Sequence, residues 1–141
     1  MRLPANKEIK AMLIFKTSKE TLPKVIVHAK HALMIQPQFE PGEVILIAQT
    51  RDELAEGEMP IRYRMEIRRV YEDRDGESEQ IFGRKWRYIV EGYNCFALKT
   101  PFDISEVQVT RENYRQGGTI CHVAPRDAKA IVLGGHLEIS L

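Results

Sequence analysis

The sequence has few of the features that mark secreted or membrane-spanning proteins. Its two cysteines, Cys95 and Cys121, belong to no paired cysteine motif. Its apolar runs are far shorter than the ~20 residues of a transmembrane helix. The opening residues, MRLPANKEIK, lack the apolar core of a signal peptide. We therefore expect a cytoplasmic protein with free thiols and no membrane partner, rather than a disulfide-bonded one.

Charge and motif content leave the function classes open. The formal net charge is +1, which neither requires nor excludes a nucleic-acid partner, so an electrostatic argument must rest on local clusters. No GxxxxGK[ST] phosphate loop is present, so any motor would have to be a separate domain. A separate motor or nuclease, as a domain or a subunit, is a candidate partner. At 141 residues with 43% hydrophobic content, the chain suits one globular domain over 11–141, preceded by a polar arm over 1–10.

The stretch 12–34 predicts a strand, a polar turn, a short helix and a second strand. Four apolar residues, MLIF, suit a strand covered on both faces. Either Ser18 or Thr21 can cap the helix, and Thr21 is favoured because Pro23 then lies in the first turn, where its missing N–H costs little. A helix to about residue 30 would place His28 and His31 on one face near its end.

The remaining pattern predicts a strand-rich domain. We expect strands over 32–35, 44–48, 61–71, 86–91, 93–98, 119–123 and 136–141. A turn of helix is expected within 50–58 and another over 103–107, and a helix over 125–133 that Gly134 and Gly135 end. Residue Gly92 suggests a bulge or bend in one long strand, which Pro101 would end. This order predicts an α+β fold, a mixed β-barrel of about five to six strands with flanking helices.

Several motifs in order resemble the PUA-like superfamily, within it the EVE and YTH branches. They are FKTS at 15–18 before the helix, PGEV at 41–44, the strand at 65–70 before an acidic loop, a tryptophan at 86 with a proline at 101, and RQG at 115–117 with VAP at 123–125. The resemblance covers roughly residues 11–132. It implies a PUA-like barrel that binds RNA or a modified base, in some members as the specificity module of a modification-dependent restriction system.

The resemblance implies a base pocket beside the first strand and helix. Short polar groups would hold the edge of a flipped, methylated base, and flat side chains would stack on its faces. The candidates are Lys16, Thr17, Ser18, His28, His31, Trp86 and Tyr88. Simpler interpretations are helix capping for the hydroxyl residues, surface histidines at a helix end, and ordinary core packing for the two aromatic residues.

Positive side chains would contact the nucleic-acid backbone. The candidates are Arg62, Arg64, Arg68, Arg111, Arg115 and Gln116, with Arg69 and Lys129 as further cations. The RQGG loop favours Arg115 because glycines let a backbone approach closely. A solvated strand face explains the arginines at 62–69 equally well.

Catalytic and metal sites are weaker hypotheses. His28 and His31 with Cys121 and His122 could hold a metal, but the set lacks a strong zinc signature. Neighbouring strand residues point to opposite faces, so Cys121 and His122 cannot cooperate directly in a hydrolase. We therefore expect no enzyme activity and no cofactor. The alternatives are an RNA-binding domain that does not recognise a modification, a small nucleotide-processing enzyme, and a purely structural or interaction domain.

Overall fold

The structure, a computed structural model, describes residues 12–37, 39–103, 120–123 and 125–140. Within these residues the chain forms six strands and three α-helices, with one 3-10 turn at Arg51–Glu53. The strands are β1 Met12–Thr17, β2 Lys30–Leu33, β3 Val44–Gln49, β4 Ile61–Glu72, β5 Tyr88–Phe102 and β6 Ile120–Val123. The helices are α1 Leu22–His28, α2 Glu77–Phe82 and α3 Pro125–Leu133. No helix among the described residues is both long and apolar enough to cross a bilayer.

All six strands join one mixed sheet in the order β2-β5-β4-β3-β1-β6. The β1–β3 pair is parallel, and the other pairs are antiparallel. The sheet curls into a half-barrel. The curl brings His31 on the edge strand β2 into contact with Phe15 on β1, although three strands lie between them in the sheet. The predicted α+β class with a mixed sheet is confirmed; the described strands form a half-barrel rather than the predicted barrel, and membership of the PUA-like superfamily stays a prediction.

The central strands bury both of their faces, which explains their uninterrupted apolar sequences. Alternate residues of β1 and β3 lie on opposite faces of the sheet. One face packs under α1 and the other under α3. The α1 side contains Leu13, Phe15, Leu22, Val25, Ile45, Ile47, Met65, Ile67 and Val90; the α3 side contains Met12, Ile14, Leu46, Ile61, Leu98, Phe102, Ala128 and Ile131. The predicted strand at 12–15, covered on both faces, is therefore confirmed.

The first helix begins at the predicted place but ends early. It starts at Leu22, with Pro23 in its first turn and Thr21 as the preceding residue. Thr21 makes no side-chain capping bond; Ser18 Oγ instead accepts a hydrogen bond from the Thr21 N–H at 3.1 Å, which closes the turn before the helix. Residue Ala29 adopts a left-handed conformation, with φ of 51°, and the chain enters β2 at Lys30. The predicted helix to residue 30 and strand at 32–35 are thus each placed about two residues late.

Other boundaries differ from the prediction for local reasons. Helix α2 was not predicted, because 77–82 follows a charged connector that reads as a solvated turn. Residues 88–102 form one continuous strand, and Pro101 lies inside it rather than ending it. A Cβ on Gly92 would lie 2.8 Å from the Glu66 carbonyl oxygen and 2.6 Å from Met65 Sδ, so the close approach of the β4 main chain requires glycine there. The predicted strand at 136–141 is reduced to one bridge between Leu98 and Ile139.

The last helix, α3, begins and ends where the sequence predicts. The helix spans Pro125–Leu133, and Gly135 follows it with φ of 75°. The predicted helical turn at 103–107 and the loop at 111–118 lie almost wholly outside the described residues.

Candidate nucleic-acid interface

The polar residues at the end of β1 are largely engaged in local structure. Ser18 Oγ donates to Thr21 Oγ1 at 2.8 Å in addition to capping the turn. Thr17 is buried, and its carbonyl accepts a hydrogen bond from the Thr50 N–H at 2.9 Å. Lys16 is half-buried. The side chain of Ser18 is thus engaged in the turn before α1.

The two histidines do not share a face, which corrects the sequence prediction. His28 is the exposed last residue of α1, whereas His31 lies on β2 and is only 4% exposed. The His31 ring packs on Phe15 with centroids 4.8 Å apart. The predicted pair fails because the left-handed turn at Ala29 ends the helix between them.

Burial sets the chemical state of His31. It lowers the pKa of His31 to about 4, against backbone hydrogen bonds at Lys16 and Ala32 that raise it. The imidazole is therefore neutral near pH 7. Its Nδ1 is buried and has no hydrogen-bond partner within the part of the chain that the structure describes. The His31 ring lies on the same side of the sheet as Phe15 and as Val90, its neighbour on β5.

Trp86 and Tyr88 belong to a basic and aromatic stretch that joins α2 to β5. We call residues 84–88 the RKWRY segment. The Arg84 guanidinium carbon lies 4.5 Å from the Trp86 ring centroid, and that of Arg87 lies 5.2 Å from the Tyr88 ring centroid. Both rings are half-buried, and Arg84, Lys85 and Arg87 are exposed. None of these three cations forms an ion pair with another described residue, so their charges are available to a partner.

A buried carboxylate holds the RKWRY segment in place. Asp73 accepts hydrogen bonds from the Glu77 N–H at 3.0 Å, the Ser78 N–H at 2.9 Å and the Ser78 hydroxyl. Ser78 Oγ in turn accepts the Trp86 N–H at 2.8 Å. The Asp73 N–H donates to the Arg87 carbonyl at 2.8 Å. Burial alone would raise the pKa of Asp73, but the hydrogen bonds from Ser78 and Glu77 outweigh it and lower that pKa.

A second cluster fixes α2 to the sheet. Tyr71 Oη donates to Glu77 Oε1 at 2.6 Å, and Lys30 Nζ bonds to the other oxygen of the same carboxylate. The bond to Glu77 raises the pKa of Lys30. Desolvation opposes ionisation of Glu77, but the two donors prevail and lower its pKa. This cluster joins β2, β4 and α2, and so helps to place Ser78 below Trp86.

The arginines of β4 are mostly paired within the fold. Arg62 lies 3.3 Å from Glu58, and Arg64 lies 3.1 Å from Glu66. Arg68 and Arg69 are more exposed, and both approach Glu91, at 4.0 and 3.0 Å. A solvated strand face, on which three glutamates neutralise most of the charge of four arginines, accounts for these contacts. The other predicted backbone contacts, Arg111, Arg115 and Gln116, lie outside the described residues.

The two cysteines, His28 and His31 are not gathered into a reactive site. Burial raises the pKa of Cys95 to about 11 and also raises the pKa of Cys121, against the nearby charge of Lys16. Both thiols therefore stay protonated near pH 7, which makes them poor nucleophiles. His28 and His31 lie on different elements. No group of three or more metal-binding side chains occurs within the described ranges.

Comparison with known proteins adds no family assignment. Searches against protein-family models and against curated proteins find no match to this chain. The candidate interface therefore rests on its own geometry.

Sequence reasoning identified the two rings of the RKWRY segment but missed its cations. The signal was available, because three basic residues interleave with two aromatic ones within five positions. The absence of ion pairs could not be read from the sequence, since acidic residues are common on both sides of the segment.

Proposed function

We propose that this chain is a nucleic-acid-binding domain that contacts its partner through the RKWRY segment. The observation that carries the proposal is the set of three exposed cations, Arg84, Lys85 and Arg87, without ion pairs among the described residues, beside two half-buried rings. Phosphates are bound by cations that can release counterions, and unstacked bases bind to aromatic faces. An Arg over each ring can contact a phosphate or stack on a base.

The charge distribution favours this segment over the arginines of β4. Arg68 and Arg69 share Glu91, and the ion pairs of Arg62 and Arg64 would have to break before those side chains could bind phosphate. The cations of the RKWRY segment need no such exchange. They should therefore bind phosphate more readily than the arginines of β4.

A finer proposal concerns the base itself. We propose that a flipped, modified base enters beside β1 and α1, as the resemblance to the EVE and YTH branches implies. The unpartnered Nδ1 of His31 supports this proposal, because a buried polar atom without a partner is costly and a base edge could satisfy it. Under this proposal the domain would serve as the specificity module of a larger modification-dependent system.

Two other functions fit part of the observations. An RNA-binding domain without modification specificity needs only the cations and rings of the RKWRY segment. A nucleotide-processing enzyme would need an activated acid, base or nucleophile, and the two thiols are poor candidates because burial raises the pKa of both. We therefore favour binding over catalysis.

The test is a binding series with short labelled DNA and RNA, single-stranded and duplex, with and without methylated adenine or cytosine. We expect the triple variant Arg84→Ala, Lys85→Ala and Arg87→Ala to lose most of the affinity. Because three contacts to a single strand give a slope of log K against log[salt] of about −2, the variant should also flatten this slope. Arg74→Ala is the matched control, since Arg74 is exposed but paired with Glu72.

Each outcome has a distinct meaning. If no strand binds at about 50 mM salt, or if the triple variant binds as well as the wild type, the proposed function is wrong. Preference for methylated strands that is lost in His31→Leu would support the base pocket. Equal binding of methylated and unmethylated strands would favour the RNA-binding alternative.

A further inference from the structure

We infer that Asp73 and Ser78 are positioning residues of the nucleic-acid interface: they fix the main chain at Trp86, so that the rings are in place before a strand binds. The inference rests on the proposed function and adds to it the residues that organise the site. Neither side chain is exposed enough to touch a strand, since Ser78 is 0% and Asp73 only 7% exposed. Their effect must therefore pass through the RKWRY segment.

The first step is that the RKWRY segment lacks regular structure before Tyr88. Helix α2 ends at Phe82, with Gly83 in a left-handed conformation, and β5 begins at Tyr88. Residues 84–87 therefore belong to neither element. Three hydrogen bonds tie this stretch to the body of the domain: the Trp86 N–H donates to Ser78 Oγ, the Ser78 hydroxyl makes a long contact of 3.5 Å to the Trp86 carbonyl, and the Arg87 carbonyl accepts from the Asp73 N–H.

The second step is that the hydrogen bond from the Trp86 N–H to Ser78 is not needed to form α2. Asp73 stabilises the start of the helix by accepting the N–H groups of Glu77 and Ser78, as a capping carboxylate does. The bond from the Trp86 N–H to Ser78 Oγ adds nothing to the helix itself. It spans the connection from α2 to β5, and it is oriented because the same hydroxyl donates to Asp73.

The third step is energetic. A surface side chain that is ordered only on binding loses rotamer entropy, which weakens association by about two- to tenfold for each such group. If the main chain at Trp86 is already fixed, the Trp86 ring has fewer positions to lose on binding, and this entropy loss is smaller. The benefit applies to base stacking on the ring, which requires a defined ring position. Contacts between flexible cations and phosphates depend on it much less.

The experiment compares Ser78→Ala with wild type, using one single strand and a strand of equal length whose bases are replaced by abasic sites. The abasic strand keeps the phosphates and removes stacking. We expect the variant to lose about two- to tenfold in affinity for the normal strand and to bind the abasic strand as the wild type does. Ser140→Ala, at an exposed position, is the matched control and should leave both affinities unchanged.

Two further measurements keep the inference testable if the variant does not fold. In the wild type, the Trp86 amide should exchange with solvent more slowly than the amides of Arg84 and Lys85, which donate no hydrogen bond to other described residues. Asp73→Asn should weaken stacking in the same direction, because it removes the charged acceptor of the Ser78 hydroxyl.

The outcomes separate this inference from the proposed function. If Ser78→Ala lowers both affinities equally, or neither, the positioning role is wrong although nucleic-acid binding stands. Fast exchange of the Trp86 amide would also overturn it. If the wild type binds neither strand, the proposed function fails, and slow exchange at Trp86 would then show a fixed main chain with a purely structural role.

Discussion

Replacing His31 should remove a large part of the acid sensitivity of this fold. The imidazole is buried against Phe15, and burial lowers its pKa to about 4. In the unfolded chain the pKa of histidine is about 6.5. Between these two pKa values, His31 is protonated in the unfolded state but neutral in the folded state. The free energy of unfolding therefore falls as the pH is lowered from about 6.5 to about 4, and His31 causes no further loss below that range.

The size of the effect follows from the two pKa values. At 1.36 kcal/mol for each pKa unit, the full loss is about 3 kcal/mol below pH 4. Between pH 7 and pH 5 the loss is about 2 kcal/mol. This is a substantial share of the stability of a domain, which is typically about 5–15 kcal/mol.

The assay is urea unfolding of the wild type and of His31→Gln at pH 7 and pH 5, with His28→Gln as the control at an exposed position. Carboxylates with lowered pKa, such as those of Asp73 and Glu77, also lose stability in acid, but wild type and variant share them. The wild type and the control should lose about 2 kcal/mol more than His31→Gln over this interval. Equal losses in all three proteins would refute the reasoning.

Three further predictions concern the scaffold. The half-buried pair of Lys30 and Glu77 should show a coupling energy of about 1 kcal/mol in a double-mutant cycle of Lys30→Met and Glu77→Gln. A coupling energy near zero would show that this ion pair does not stabilise the attachment of α2 to the sheet. Gly92→Ala should destabilise the domain by about 1–3 kcal/mol in urea unfolding, because its Cβ would lie 2.8 Å from the main-chain carbonyl oxygen of Glu66; unchanged stability would show that the strands do not approach so closely. The thiol of Cys95 should react with a disulfide reagent much more slowly in the native than in the unfolded protein, since burial raises its pKa to about 11, and equal rates would refute this.

The sequence predicts elements best where local pattern and tertiary packing agree. The apolar run at 44–48 and the proline and glycines around 125–135 correspond closely to β3 and α3. Prediction fails where one residue redirects the chain. Ala29, an ordinary helix former, adopts a left-handed conformation, so the helix ends early and His31 becomes part of a strand. Nothing in the local sequence marks that change.

The candidate site shows a similar division. Trp86 and Tyr88 could be selected because aromatic residues beside basic ones suit base stacking. The role of Asp73 could not be predicted, because a charged stretch such as EDRDGES reads as solvated loop. Its burial follows from α2, which folds back and lets Ser78 meet Trp86. The pairing of Arg68 and Arg69 with Glu91 on β5 likewise depends on register.

The most direct test of the proposed interface uses the fact that Trp86 is the only tryptophan in the chain. Its fluorescence reports on the RKWRY segment without a label. Titration with a single-stranded oligonucleotide should quench and shift this emission, with an apparent affinity that falls steeply as salt is raised. If saturating oligonucleotide at low salt leaves the Trp86 emission unchanged, the segment does not bind nucleic acid and the account is wrong.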